Sequence, residues 1–277
     1  MSKRYANAQE ALQDASYTSA LKELLYQLAD DDLLISHRAS EWLGLVPHIE
    51  EDVAFSSIAQ NTLGHAAMFY QLLEELGEGT PDDLAHLREA DKFRNSILAE
   101  KPNGTGHYTE DPDYDWGYAI IRNYVYEVFK RLRLEALTTS SYTPLADVAA
   151  KVLREQFYHL YHWETWIDQL SGTTAEAESR LNNAIRKAWE DVASLFDLGP
   201  AGEDIQKFGL IGSISMEDIK NKFVATVRAK FEGAGLQWPG DMKAGEFSGR
   251  ECKHTEDLKL ALEEIGSVYR LDPAANW

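Results

Sequence analysis

Four stretches of roughly eight helical turns each, joined pairwise by short turns, constrain this chain more than any other feature. Apolar residues recur at i, i+3, i+4 and i+7 through almost every hydrophobic segment, and alternation with period two is nearly absent. The pattern predicts an all-α fold, with helices from about Thr18 to Leu45, Pro47 to Gly77, Asp113 to Ser140 and Pro144 to Ser171. Pro47, followed by Glu50, Glu51 and Asp52, suits a helix start: proline needs no amide partner there, and acids face the positive end of the macrodipole. Pro144 opens the fourth helix in the same way, and Gly77 and Ser171-Gly172 suit stops. Short turns make each pair an antiparallel hairpin, so Glu78 to Pro112 becomes the crossover between them, the layout of a ferritin-like four-helix bundle.

Within the crossover, Asp82 to Ala99 reads as a short helix and Lys101 to Gly106 as a loop. Further helices are expected from about Ala175 to Leu198, Met216 to Gly233 and Thr255 to Tyr269. The expected organisation is one domain over residues 1–277, with the core bundle at about 18–171 and a C-terminal helical extension at about 172–277. Gly233 to His254 lacks any regular pattern, and so long a loop is expected to bind something rather than merely connect.

Each bundle helix breaks its own apolar stripe near the middle. The stripes read Leu21, Leu25, Leu28, Asp32, Ile35, Ala39; Ile58, Thr62, His65, Phe69, Leu72; Ile120, Tyr124, Glu127, Arg131, Leu134; and Leu145, Ala149, Val152, Gln156, His159, Trp163, Trp166. A lone histidine on such a face is ordinarily a hydrogen-bonded core residue, and Asp32 ends the run Asp30-Asp31-Asp32, which alone reads as a solvated face. Four helices breaking pattern at one depth point instead to a shared site, because a buried carboxylate is costly unless paired or metal-bound.

A di-iron carboxylate bundle takes one carboxylate from each of two helices and a Glu-x-x-His from each of the others. Here the corresponding positions are Asp32, Thr62-x-x-His65, Glu127 and Gln156-x-x-His159, so both bridging glutamates are missing. Two divalent ions bring +4 against −2 from Asp32 and Glu127, and neither a hydroxyl nor an amide is a good anionic bridge. No metal is therefore expected, and no residue is expected to be catalytic or to bind a cofactor: Asp32, Thr62, His65, Glu127, Gln156 and His159 form a degenerate remnant. The alternatives are a mononuclear ion on His65, His159 and a carboxylate, or an altered dinuclear centre into which Glu155 and Asn61 step from i, i+4 positions.

A formal charge of −19, from 27 Lys+Arg against 46 Asp+Glu, excludes a generic nucleic-acid binder. The single Cys252 excludes an intrachain disulfide and a cysteine-based metal cluster, which suits a reducing compartment. With no apolar leader at Met1 to Ser16 and no membrane-spanning run, the expectation is a cytoplasmic protein. Lys220, Lys222, Arg228 and Lys230 make one late helix basic, which reads as a solvated face. Trp42, Trp116, Trp163, Trp166, Trp189 and Trp238 are too many for a mainly aliphatic core, so some are expected at an interface.

Several local sequences together resemble one family, the C subunit of bacterial phenylacetyl-CoA 1,2-epoxidase. They are Ser40-Glu41-Trp42 with Gly44 and Pro47, Glu50 with Asp52, Gly64, Phe93 with Asn95, Pro102-Asn103-Gly104, Tyr158-His159, His254-Thr255-Glu256 and the terminal Trp277. The resemblance, spanning about Leu21 to Trp277, implies a ferritin-like paralogue of a di-iron catalytic A subunit that has lost the ligands and serves as its structural partner. It also implies self-association and a flavin and iron-sulfur reductase in the complex, with epoxidation of phenylacetyl-CoA carried out by the A subunit. This chain departs from the usual C-subunit pattern in keeping Asp32 and His65. Competing readings are an oxidoreductase with its own metal site, and a generic ferritin-like binding module.

Overall fold

Each long helix starts where a side chain or an extended residue turns the chain inward, and several are capped directly. Asp14 accepts from Tyr17 N, Asp115 from Tyr118 N and Thr174 from Ala177 N, while Ser215 and Asp218 form a reciprocal capping box. The structure is a computed structural model that describes residues 3–275, so Trp277 lies outside the described residues. The order is α1 Ala8–Ala11, α2 Ala15–Ser40, α3 Ile49–Glu75, α4 Pro81–His86, α5 Ile97–Glu100, strands β1 Gly104–Thr105 and β2 Asp113–Tyr114, then α6 Trp116–Leu137 and α7 Thr143–Leu170. After these come α8 Ala175–Val192, α9 Gly202–Lys207, α10 Met216–Gly233 and α11 Glu256–Ile265. Helix α2 packs along α3 and α6 along α7, with α3 also against α7, which gives the expected all-α bundle of two hairpins. Helices α8 and α10 cover α6, and α11 touches α2 and α5.

Where boundaries differ from expectation, a specific contact explains it. Pro47 precedes α3 instead of opening it: His48 is the N-cap, and Asp52 accepts from Gly44 N to close the turn before the helix. The expected helix over Asp82 to Ala99 is broken into α4, a 3-10 turn at Ala90–Lys92 and α5. Buried Asp30 takes the amide of Arg94 at 2.7 Å and buried Asp31 takes that of Ser96 at 2.6 Å, which withdraws both amides from any helix. The crossover loop contains β1, paired antiparallel with β2, so α6 starts later than Asp113. Gly104 permits that pairing, since a Cβ there would stand 2.1 Å from the Asp113 carbonyl oxygen.

The run Asp30-Asp31-Asp32 is not a solvated face. All three are buried, and three successive residues span more than half the circumference of a helix, so α2 is enclosed on several sides. Asp30 pairs with Arg88 and accepts from the Tyr70 hydroxyl, while Asp31 takes Arg250 through Nη1 and Nη2 at 3.1 and 2.7 Å. Arg250 comes from the irregular segment after α10 and its burial straps the outer helices to the centre of α2, while Met242 and Ala244 to Ser248 of the same segment line a cavity of about 700 Å³ beside α8. Trp238 of the same segment packs on Trp189 with ring centroids 4.8 Å apart. Among the described residues no helix is long and apolar enough to cross a membrane.

Candidate functional site

The four stripe interruptions meet in the bundle core. Asp32 of α2, Thr62 and His65 of α3, Glu127 of α6, and Gln156 and His159 of α7 are each at most 1% exposed, and the two imidazoles lie 6.0 Å apart between ring centroids. The 3.6-residue period brings them inward, since each occupies a stripe position on its own helix.

Lys130 occupies the middle of the arrangement. Its Nζ donates to Asp32 Oδ1 at 2.7 Å and to His65 Nδ1 at 2.9 Å, and the Tyr126 hydroxyl donates to the same Asp32 oxygen at 2.6 Å. An ammonium group has no lone pair to offer, so His65 must accept at Nδ1 and carry its proton on Nε2. That nitrogen stands 2.9 Å from Glu155 Oε2. Burial, reinforced by the Lys130 charge and by His159, holds the His65 pKa far below its ordinary value, so the ring is neutral. Burial pushes the Asp32 carboxyl up against the pull of Lys130. Burial also pushes Glu127 up, but His159 at 3.3 Å, with help from Lys130, outweighs it and the carboxyl lies below its usual range.

These residues do not fit a dinuclear metal centre. The cation between Asp32 and His65 is already a lysine, and a second positive ion at that spot would meet like charge. Thr62 donates its hydroxyl hydrogen to the Ile58 carbonyl at 2.9 Å, a bond within its own helix, and its neutral oxygen is no anionic bridge. Around Glu127 the situation differs: Glu127 Oε2, His159 Nε2 and both polar atoms of the Gln156 amide are buried without a hydrogen-bond partner among the described residues. A void beside Asp32 and Lys130 measures only about 10 Å³, about one water molecule, which leaves no room for an organic substrate there.

Two expected placements are corrected. Arg131 is exposed and pairs with Glu135, whereas its neighbour Lys130 turns inward. The position three residues beyond Glu127 faces the core as readily as the position four beyond, and a buried aspartate one helix away was the signal that a base belonged there. Glu155 reaches His65 from α7 as a hydrogen-bond partner, while Asn61 is exposed and takes no part. Not all of the tryptophans are central: Trp116, Trp166 and Trp238 are only partly buried, packed against the core. Trp42, Trp163 and Trp189 are buried, and Trp116 packs on Trp42 and Trp166 at 5.1 and 5.3 Å, so the core is more aromatic than expected. The aromatics that face outward are Phe157, Tyr158 and Tyr161 on α7, at 62%, 71% and 63% exposure. On the basic helix α10, Arg228 pairs with Glu232 and Lys230 with Asp168, so those two charges are already neutralised.

Several of the local sequences behind the family resemblance prove to be fasteners of the crossover. Glu41 accepts from Arg38 and Asn103, Asn103 also binds the Arg38 carbonyl and Arg122, and buried Glu100 takes His254, Thr255 and Asn95.

Comparison with known proteins agrees with this geometry. A solved structure described as a protein with aldehyde deformylating oxidase activity from Synechococcus superposes with a TM-score of 0.59 over 82% of this chain and 94% of its own, at 14% identity, a likeness of fold alone. The chain is 30% identical over 252 residues to the C subunit of 1,2-phenylacetyl-CoA epoxidase from Escherichia coli (strain K12), a match that covers 91% of this chain and 96% of that protein. The family model for the phenylacetic acid catabolic protein matches residues 1–277, and the chain belongs to that family.

Proposed function

We propose that this chain is a non-catalytic, structural subunit of a phenylacetyl-CoA 1,2-epoxidase complex, binding and stabilising a di-iron homologue in aerobic phenylacetate catabolism. The observation that carries the reading is the Lys130 ammonium held between Asp32 and His65, where a metal-dependent oxidase would need a metal cation. Loss of both bridging carboxylates at Thr62 and Gln156 points the same way. The exposed cluster of Phe157, Tyr158 and Tyr161 supports a protein partner, because aromatic groups on a surface are costly in water and favourable in an interface. The same surface would serve self-association or a reductase, and the catalytic homologue is the partner proposed.

A second reading is favoured by the orphaned polar atoms of Glu127, Gln156 and His159, which could hold one weak mononuclear ion and give the chain redox chemistry of its own. Two measurements separate the readings. The purified chain should carry well under one equivalent of iron, and light scattering should show a hetero-oligomer when it is mixed with a homologue that has both Glu-x-x-His motifs. Stoichiometric iron, or turnover of phenylacetyl-CoA with reductase but without the homologue, overturns the structural role and favours the second reading.

A further inference from the structure

Away from the bundle core, at the end of α2, His37 and Glu41 stand one helical turn apart and face Glu264 of α11. His37 Nε2 is 3.5 Å from Glu41 Oε1 and 3.5 Å from Glu264 Oε2. One ligand atom from each of these three residues lies within 4.8 Å of the others. From these positions we propose a divalent transition-metal site of the zinc type, held by His37, Glu41 and Glu264, that ties α11 to the end of α2.

The distances suit coordination. A separation of 3.5 Å is long for an N–H···O bond. It matches the edge of a tetrahedron whose metal–ligand bonds are about 2.0 to 2.1 Å, which is about 3.4 Å. His37 Nε2 is shut away from solvent and has no hydrogen-bond partner among the described residues. An imidazole nitrogen held at this distance from two carboxylate oxygens stands where one metal ion would satisfy all three groups at once.

The surrounding groups hold the ligands in place. Arg38 donates to Glu41 Oε1 at 2.5 Å and Asn103 donates to Glu41 Oε2 at 2.6 Å, which fixes that carboxylate and leaves a lone pair on Oε1 facing His37. On the far side, His107 Nε2 is 3.3 Å from Glu264 Oε1. The other ring nitrogen, Nδ1, accepts from the Thr109 amide at 3.3 Å, so the neutral ring carries its proton on Nε2 and serves to orient Glu264. One imidazole and two carboxylates, with water in the fourth position, suit zinc. Such a site is separate from the Asp32 to His159 cluster and asks nothing of it.

The test uses the full chain, stripped with a chelator and titrated with zinc chloride by calorimetry. One saturable site is expected, together with a melting temperature that rises with zinc concentration. His37→Gln and Glu264→Gln should each weaken binding at least about tenfold, while Glu155→Gln, which touches only the core cluster, should leave it unchanged. Cobalt(II) in place of zinc should give the visible ligand-field bands of a tetrahedral ion. If either variant fails to fold, the cobalt(II) bands of the unmodified chain, and their displacement by zinc, give the same answer. Absence of saturable zinc binding overturns the site, as does binding that survives both substitutions.

Discussion

Lys130 Nζ lies 2.7 Å from Asp32 Oδ1, and both side chains are almost wholly out of water. A buried pair of this kind adds little net stability over an apolar pair of equal volume, but removal of one member strands the other. Lys130→Met should therefore destabilise the chain by about 3 to 5 kcal/mol, read from urea unfolding. The double variant Lys130→Met with Asp32→Leu should recover most of that loss. A single variant that unfolds within about 1 kcal/mol of the parent would contradict the burial of the pair.

Restoring the lost bridges is a sharper test of the core. On sequence grounds Thr62→Glu with Gln156→Glu should regain some metal affinity. The structure revises this, because Lys130 remains between Asp32 and His65 and repels an incoming cation. The double variant should stay free of iron, whereas adding Lys130→Ala should yield measurable iron in metal analysis. Iron bound by the double variant alone would mean that Lys130 swings out of the core.

His65 gives the stability a definite pH dependence. Its folded pKa lies well below the value of about 6.5 in an unfolded chain, so the unfolded state takes up the proton first. Its contribution is complete above that unfolded value and is lost as pH falls below it, by up to about 1.4 kcal/mol per pH unit for one proton. In the folded protein the His65 ring resonances should stay flat from about pH 8 down to about pH 5. A titration midpoint near the ordinary histidine value would place His65 in contact with water.

His159 completes the cluster. Its Nδ1 is 3.3 Å from Glu127 Oε1, and Glu127 keeps a second, unpartnered oxygen. His159→Leu should cost about 1 to 3 kcal/mol, because Glu127 would then lose its nearest partner while still buried. A neutral result in chemical unfolding would show that water already serves Glu127.

The fold was legible because helical period and short turns leave little choice. Met216–Gly233 matches its expected span, and α2, α3, α6 and α7 differ from theirs only near the ends. The six polar stripe residues were legible for the same reason. Lys130 was not, because periodicity alone does not distinguish Glu127's neighbours three and four positions on, and only the buried Asp32 across the bundle decides between them. Arg88 and Arg250 were equally hidden: each pairs with an α2 aspartate through a contact made only after the crossover or the C-terminal segment has folded back. Counting tryptophans was enough to say that not all are central, and Trp116, Trp166 and Trp238 are only partly buried, but it says nothing of how they stack: Trp116 packs against Trp42 and Trp166 in one group.

The partner surface can be tested without disturbing the core. Phe157 and Tyr161 stack on α7 with ring centroids 6.3 Å apart, and both are more than half exposed, so neither contributes much to the folded chain alone. Exposed aromatics are the residues whose truncation most often dominates an interface. Phe157→Asp with Tyr161→Asp should leave the melting temperature near that of the parent. If α7 meets the di-iron homologue, the same pair should weaken association at least about a hundredfold, or about 2.8 kcal/mol, because two charges would have to be buried in an apolar contact. Light scattering over a dilution series reads this directly. Unchanged association would move the docking face off α7, to another surface such as the one carrying Ile49 and Val53 on α3.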